Sequence, residues 1–408
     1  MRLSLSLSLS LLGLVFACQP SPHAAPSAAP SPTIAGSPPA PRAPSVPATA
    51  APLNRDMARP PTIAISPPLP GFARGINLGN GLDAPSEGAW GTTLSEKHFE
   101  MAASVGFDHV RLPVRFSTPE RADVKAPYAI QEAFFQRVDW AIDQALAKKL
   151  SVIVDLHHYE EIHKEPQAHK QRFYALWKQI AARYASRPAS VAFEILNEPN
   201  GALEPKLLNE ITAEALRIIR EKNPTRLVFA NSYFWASAER LAELSLPSAD
   251  ANVIAQFHMY QPILFTHQGA PWMTPEFHTR GVIFPGPPAV PLQPSSGAAG
   301  HGWVTSWFDK YNRLPADENP GGPRTVFEHF DLAARYVQAN SKRVYLGEFG
   351  AINFADEQSR ENYTWLVRTE AERRGIGWAY WDDGGSFKLM DVKSGQYNER
   401  LRRALFER

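Results

Sequence analysis

The sequence predicts an α/β protein built as a single (β/α)8 TIM barrel, preceded by a signal peptide and a disordered Pro/Ala/Ser-rich linker. Three observations carry this. Eight short apolar, β-rich runs follow one another through residues 71–408. Segments of helical spacing separate them, and near-continuous apolar runs of this kind suit parallel strands buried on both faces. No G-x-G-x-x-G follows a strand, which weighs against a dinucleotide-binding sheet.

The leader comes first. Residues 1–18, MRLSLSLSLSLLGLVFAC, place one basic residue, Arg2, before an apolar run that ends in small Ala17 and Cys18. That is the layout of a secretory signal. Its end, Val15-Phe16-Ala17-Cys18, resembles a bacterial lipoprotein signal, although Phe16 stands where a small residue is usual. The resemblance implies that Cys18 becomes the lipidated first residue of an exported protein, held at the outer membrane, in the periplasm or at the cell surface; the alternative is ordinary secretion. Residues 19–70 are rich in Pro, Ala and Ser and carry too few large apolar side chains to build a core. Extended, such a chain reaches on the order of 100 Å and suits a tether.

Strands are expected at 72–79 (FARGINLG), 108–114 (DHVRLPV), 150–158 (LSVIVDLHH) and 191–198 (VAFEILNE). Four more are expected at 226–232 (RLVFANS), 252–260 (NVIAQFHMY), 343–349 (RVYLGEF) and 375–381 (GIGWAYW). Helical spacing marks 130–149, 170–186, 205–223 and 357–374. One connection is long: residues 261–324, rich in Pro, Gly and Trp, are expected to form a wall of the functional cleft.

Polar residues collect where these strands end, and in such barrels function sits at the C-terminal ends of the strands. Asn77 and Asn80 end the first, Arg111 lies in the second, and His157-His158 end the third. Asn197-Glu198 end the fourth, His258-Met259-Tyr260 the sixth, Glu348 the seventh, and Trp381-Asp382-Asp383 the eighth. Strands four and seven lie nearly across a barrel, so Glu198 and Glu348 can face each other over a central cleft. Two carboxylates flanking a bond are the minimum equipment for glycoside hydrolysis. The bland alternative is that both glutamates pair with Arg111 and other cations; it leaves the crowding of polar groups at one end unexplained.

The motifs GINLGN, VRLPV, VDLHH, EILNEPN, QFHMYQPILFTHQGAPW, VYLGEFGA and WAYW occur in order from residue 71 to the C-terminus. With them the chain resembles the family 5 glycoside hydrolases, most of all the bacterial endo-β-1,4-glucanases. The resemblance implies Glu198 as general acid/base and Glu348 as nucleophile of a retaining double displacement on β-glucan. It implies that Asn197 bonds the sugar 2-hydroxyl and that Arg111 keeps Glu348 ionised. It places His157 beside the attacked sugar, His258 and Tyr260 on the catalytic carboxylates, and Trp381 under that sugar as a platform. Asn77, His158 and Trp272 complete the expected binding set, while Trp90, Trp303 and Trp307 are read as outlying platforms or as anchors. The chain departs from many relatives after Trp381, where it carries Asp382-Asp383-Gly384-Gly385, and in its long insertion; both features lie near the substrate and bear on which β-glycan is preferred.

Other classes fit less well. A net charge of +1 gives no basic field for nucleic acid. No metal and no cofactor is expected: His157, His158, His258 and Asp382 lack H-x-H or H-E-x-x-H spacing, and neighbouring residues on a strand point to opposite faces. A non-catalytic carbohydrate-binding barrel would not require both glutamates. A monomer is expected, with any membrane contact confined to the lipid on Cys18.

Overall fold

The computed structural model describes residues 49–54 and 68–407. The signal segment, Cys18 and most of the expected linker lie outside the described residues.

Eight parallel strands close into a barrel in sequence order. They are β1 (Arg74–Asn77), β2 (His109–Val114), β3 (Ser151–Leu156), β4 (Val191–Glu194), β5 (Val228–Asn231), β6 (Val253–Met259), β7 (Val344–Phe349) and β8 (Gly377–Tyr380). Each lies within one of the runs expected from sequence.

Side chains alternate across a strand, and the inward ones form tiers. The lowest is apolar: Phe72, Ile153, Ala192, Phe229, Ile254, Tyr345 and Ala379 pack together inside the barrel. Two residues further along β3 and β4, the inward positions are charged, with Asp155 directly opposite Glu194 in the register. The outward residues meet the helices. Helix Pro205–Lys222 buries Leu208, Ile211, Ala215, Ile218 and Ile219, the three-and-four spacing of one apolar stripe. Helix Glu357–Arg373 is capped by Asp356, whose side chain accepts from the backbone N–H of Ser359. Among the described residues no helix is long and apolar enough to cross a membrane.

The insertion after β6 divides its work. Its first part turns into the barrel mouth, where Thr266 Oγ1 donates to the Tyr260 carbonyl at 2.5 Å and Trp272 packs with Tyr260, Phe387 and Trp381. The later part docks outside. The Phe284 N–H donates to Ser359 Oγ at 2.8 Å, and Asn362 Nδ2 donates to the Phe284 carbonyl at 2.9 Å. Trp307 stacks on Tyr311, and Trp303, still 41% exposed, has one face near Phe277.

Residues 49–54 fall inside the stretch expected to be free linker, yet they are placed on the barrel. The Leu53 N–H donates to Asn362 Oδ1 at 3.0 Å, and Asn362 Nδ2 donates to the Ala51 carbonyl at 2.9 Å. The Ala50 N–H reaches Asp356 Oδ1 at 3.3 Å, and Ala50 is buried. One asparagine side chain thus satisfies both a donor and an acceptor of the passing chain, as a neighbouring strand would.

Candidate active site

Above the apolar tier, Arg111 on β2 is wholly enclosed. A buried guanidinium must place all its N–H groups, and here each has a partner. Nε and Nη2 form a two-pronged contact with Glu194 at 2.6 and 2.7 Å. Nη1 donates to Asn77 Oδ1 at 2.8 Å and to Glu348 Oε1 at 2.7 Å. Nη2 also meets Asn197 Oδ1 at 2.8 Å and Asp155 Oδ2 at 2.9 Å. One cation therefore ties five strand-end groups into a single plate. Carboxylates outnumber it, and burial holds Asp155 well above its ordinary range.

Glu348 is delivered by an irregularity. The register of β6 on β7 runs Phe257↔Leu346 and then His258↔Glu348, skipping Gly347. An extra residue of this kind re-aims the side chains beyond it. His258 consequently faces Glu348, with Nδ1 3.6 Å from Oε2, while the same nitrogen lies 2.9 Å from Glu198 Oε1. Tyr260 Oη donates to Glu348 Oε2 at 2.8 Å. Glu198 reaches the cleft by a turn: its φ is 45°, in the left-handed region that non-glycine residues enter at a cost. The Asn200 amide holds its carbonyl at 2.9 Å.

A carboxylate oxygen of Glu198 and one of Glu348 lie within 4.8 Å of each other. Burial raises both groups, and their partners separate them. Glu348 is 4% exposed, and Arg111 and Tyr260 donate to it, which offsets part of the burial; the net shift is upward. Glu198 has neither donor. Its side chain keeps 25% exposure, open to an incoming oxygen, and the dense surroundings push the carboxyl up to about 7. Glu198 is thus the group suited to hold a proton, and Glu348, with Arg111 and Tyr260 donating to it, the group suited to be ionised.

The sugar-facing side is aromatic. Trp381 is half-buried and lies parallel to His157, 5.9 Å between ring centroids at 7°. His157 Nδ1 contacts Asp155, and burial holds the ring neutral, well below the usual histidine range. His158 does not point away as strand alternation would have it. The strand has ended at Leu156, and a φ of 50° at His158 brings its ring to 4.4 Å from that of His157. Trp90 meets His158 edge-on at 5.5 Å.

Two of the expected site residues are enclosed by the protein. Asn77 is fully enclosed: Nδ2 donates to the Gly347 and Tyr380 carbonyls at 3.0 and 3.2 Å, and Oδ1 accepts from Arg111. Arg111 is likewise enclosed, its N–H groups all taken by Glu194, Asn77, Glu348, Asn197 and Asp155. Both hold the residues that face the cleft and have no group left for a ligand. Asp382 and Asp383 are also buried. Asp382 Oδ2 accepts from Asn80 Nδ2 at 2.5 Å, and burial pushes its carboxyl up to about 7.

A model of the cellulase family, glycosyl hydrolase family 5, matches residues 74–386. The chain belongs to glycosyl hydrolase family 5. It is 29% identical over 328 residues to Endoglucanase H of Acetivibrio thermocellus, an alignment covering 80% of this chain and 31% of that protein. It therefore spans about a third of that relative's length. Endoglucanase C of the same organism is 28% identical over 348 residues, covering 80% of this chain and 94% of the relative. Among solved structures, endoglucanase Cel5A of Thermotoga maritima matches with a TM-score of 0.70 at 36% identity, covering 82% and 97% of the two chains. Cellulose synthase subunit Z of Clostridioides difficile matches with a TM-score of 0.70 at 34% identity, covering 82% and 100%.

Sequence reasoning passed over Asp155, Glu194, Asp83 and Gly347 of this family 5 domain. Asp155 and Glu194 carry a signal, since each is a charge inside a buried apolar run and requires a cation. Asn231 adds a second donor to Glu194 at 2.6 Å. Gly347 signals nothing until strand pairing is known. A Cβ there would stand 2.4 Å from Gln256 Nε2 and 3.0 Å from His258 Nε2. Gly347→Ala is therefore expected to cost about 1–3 kcal/mol by overpacking and to lower kcat by displacing His258. Thermal melts with steady-state kinetics check this; a variant as stable and as active as wild type would show that the bulge tolerates a side chain.

Proposed function

We propose that this chain is an endo-acting retaining glycoside hydrolase that cleaves β-1,4-glucan, with Glu348 as nucleophile and Glu198 as acid/base. The observation that carries the reading is the carboxylate separation, within 4.8 Å. Retaining sites hold their carboxyls about 5–5.5 Å apart, and inverting sites leave about 6.5–9.5 Å for a water. Glu348 attacks the anomeric carbon while Glu198 protonates the leaving oxygen; Glu198 then takes a proton from the water that releases the sugar. Asn197, its Oδ1 fixed by Arg111, is assigned the sugar 2-hydroxyl, and Trp381, His157, His158 and Trp272 the faces of the sugar. His258 and Tyr260 position the two carboxylates. No cofactor enters the chemistry.

The names of the endoglucanase relatives favour glucan as the substrate. Mannan is the second reading, because Thermotoga maritima Cel5A has been solved with cellobiose and with mannotriose. Assays on carboxymethylcellulose, barley β-glucan, xyloglucan and mannan rank the substrates. Proton NMR of the first-formed reducing sugar is expected to show the β-anomer, and an initial α-anomer would exclude retention.

The pH profile follows from the two carboxyls. Activity needs Glu198 protonated, so it falls as pH rises through about 7. It needs Glu348 ionised, so it falls on the acid side through a value above the ordinary glutamate range. In Glu198→Gln, assayed on an aryl glycoside whose leaving group needs no proton, the alkaline limb is expected to disappear; persistence of the limb would assign it to another group.

For the leader, the proposed organisation is a signal over 1–18, a linker over 19–70 and the catalytic domain over 71–408. The protein is exported as a monomer and lipidated on Cys18. Metabolic labelling with a fatty acid, lost in Cys18→Ser, tests the anchor.

A further inference from the structure

A second cluster of ligating side chains lies in the wall of the cleft, contributed by the loops after β1 and β3. Both histidines of the third strand end have Nδ1 directed at a carboxylate: His157 at Asp155, and His158 at Glu160 Oε1, 3.5 Å away. That leaves Nε2 of each ring to act as a ligand. One ligand atom from each histidine and one carboxylate oxygen of Asp83 lie within 4.8 Å of one another. Asp83 is 1% exposed; its Oδ2 accepts the Asn80 N–H at 3.1 Å, and its Oδ1 has no hydrogen-bond partner. A buried carboxylate oxygen left unpaired is costly, and a cation among imidazoles would satisfy it.

We propose that Asp83, His157 and His158 form a binding site for a divalent transition-metal ion such as Zn2+, with its fourth position open to the cleft. Two imidazoles and one carboxylate form a common donor set for zinc. Carboxylates behind the distal ring nitrogens fix tautomer and orientation, as second partners of metal-bound histidines do. Ca2+ and Mg2+ prefer all-oxygen sets and are disfavoured. The other cluster, Glu198–His258–Glu348, is less available, because Arg111 and Tyr260 already occupy the oxygens of Glu348.

An ion held by His157 stands beside the ring stacked on Trp381. Given the proposed function, it occupies space meant for the glycone and competes with the glycan, so the site acts as an inhibitory one.

Calorimetric titration of the full chain with ZnCl2 alone tests the binding. The wild type is expected to take up one ion; Asp83→Asn and His158→Gln are each expected to weaken uptake by about 10-fold or more, and Glu198→Gln is expected to bind like wild type. Thermal melts without metal verify that each variant is folded, and the visible spectrum of bound Co2+ reports the imidazole ligands independently. Absence of saturable uptake by wild type, or uptake lost in Glu198→Gln and kept in Asp83→Asn, overturns the site. A kinetic arm separates this proposal from the proposed function. Zn2+ is expected to raise KM for a cello-oligosaccharide with kcat unchanged. If the ion binds at these residues and KM does not move, the glycone placement is wrong while the metal site stands.

Discussion

Glu348→Ala is expected to lower kcat by about 10⁴-fold or more, the scale seen when a covalent nucleophile is removed, while substrate binding survives. The side chain is 4% exposed and held by Arg111 and Tyr260, so its loss leaves a small space at the anomeric carbon. Added azide can enter that space and attack from the same face. From an activated β-glycoside it should then yield an α-glycosyl azide. Glu198→Ala behaves differently. It is expected to lose about 10²–10⁴-fold on natural glycans and much less on aryl glycosides with good leaving groups, and azide should give the β-product. Either variant keeping near-normal activity on glucan would overturn the assignment, and reversed azide stereochemistry would exchange the two roles.

Arg111→Met is expected to be the most destabilising single change at the site. It strips one cation from Asp155, Glu194 and Glu348 together and orphans the side-chain oxygens of Asn77 and Asn197. Breaking a buried ion pair from one side costs about 3–5 kcal/mol, which in a domain of this size lowers Tm by on the order of 5–10 °C. The expected signature in activity is a shift of the acid limb to higher pH, because Glu348 loses the charge that favours its ionised form. Arg111→Lys keeps the charge but not the two-pronged grip on Glu194, and should fall between the two. Differential scanning calorimetry and the pH dependence of kcat/KM decide it: a stable Arg111→Met with an unmoved acid limb would mean that Glu348 does not depend on this cation.

The barrel could be read from sequence because parallel strands covered on both sides leave near-continuous apolar runs, and all eight stood out. The facing glutamates were legible for a related reason: a carboxylate at the end of such a run needs a use. What stayed hidden depends on pairing or on single dihedral angles. The skipped residue Gly347 exists only relative to β6. The left-handed turn at His158 reverses the orientation that strand alternation assigns. The strap at 49–54 is held by Asn362, more than 300 positions away in the chain, and a Pro/Ala-rich stretch carries no local mark of such a contact.

If the chain is tethered through Cys18 as proposed, that strap decides where the molecule is gripped. Helix Glu357–Arg373 begins just past the open end of β7, and Asp356 and Asn362 hold the strap along its opening turns. The first strand starts at the opposite, closed end, yet the incoming chain meets the domain beside the rim. A force transmitted through residue 49 therefore acts as on a bucket lifted by its lip: it turns the cleft toward the point of suspension and leaves the floor facing away.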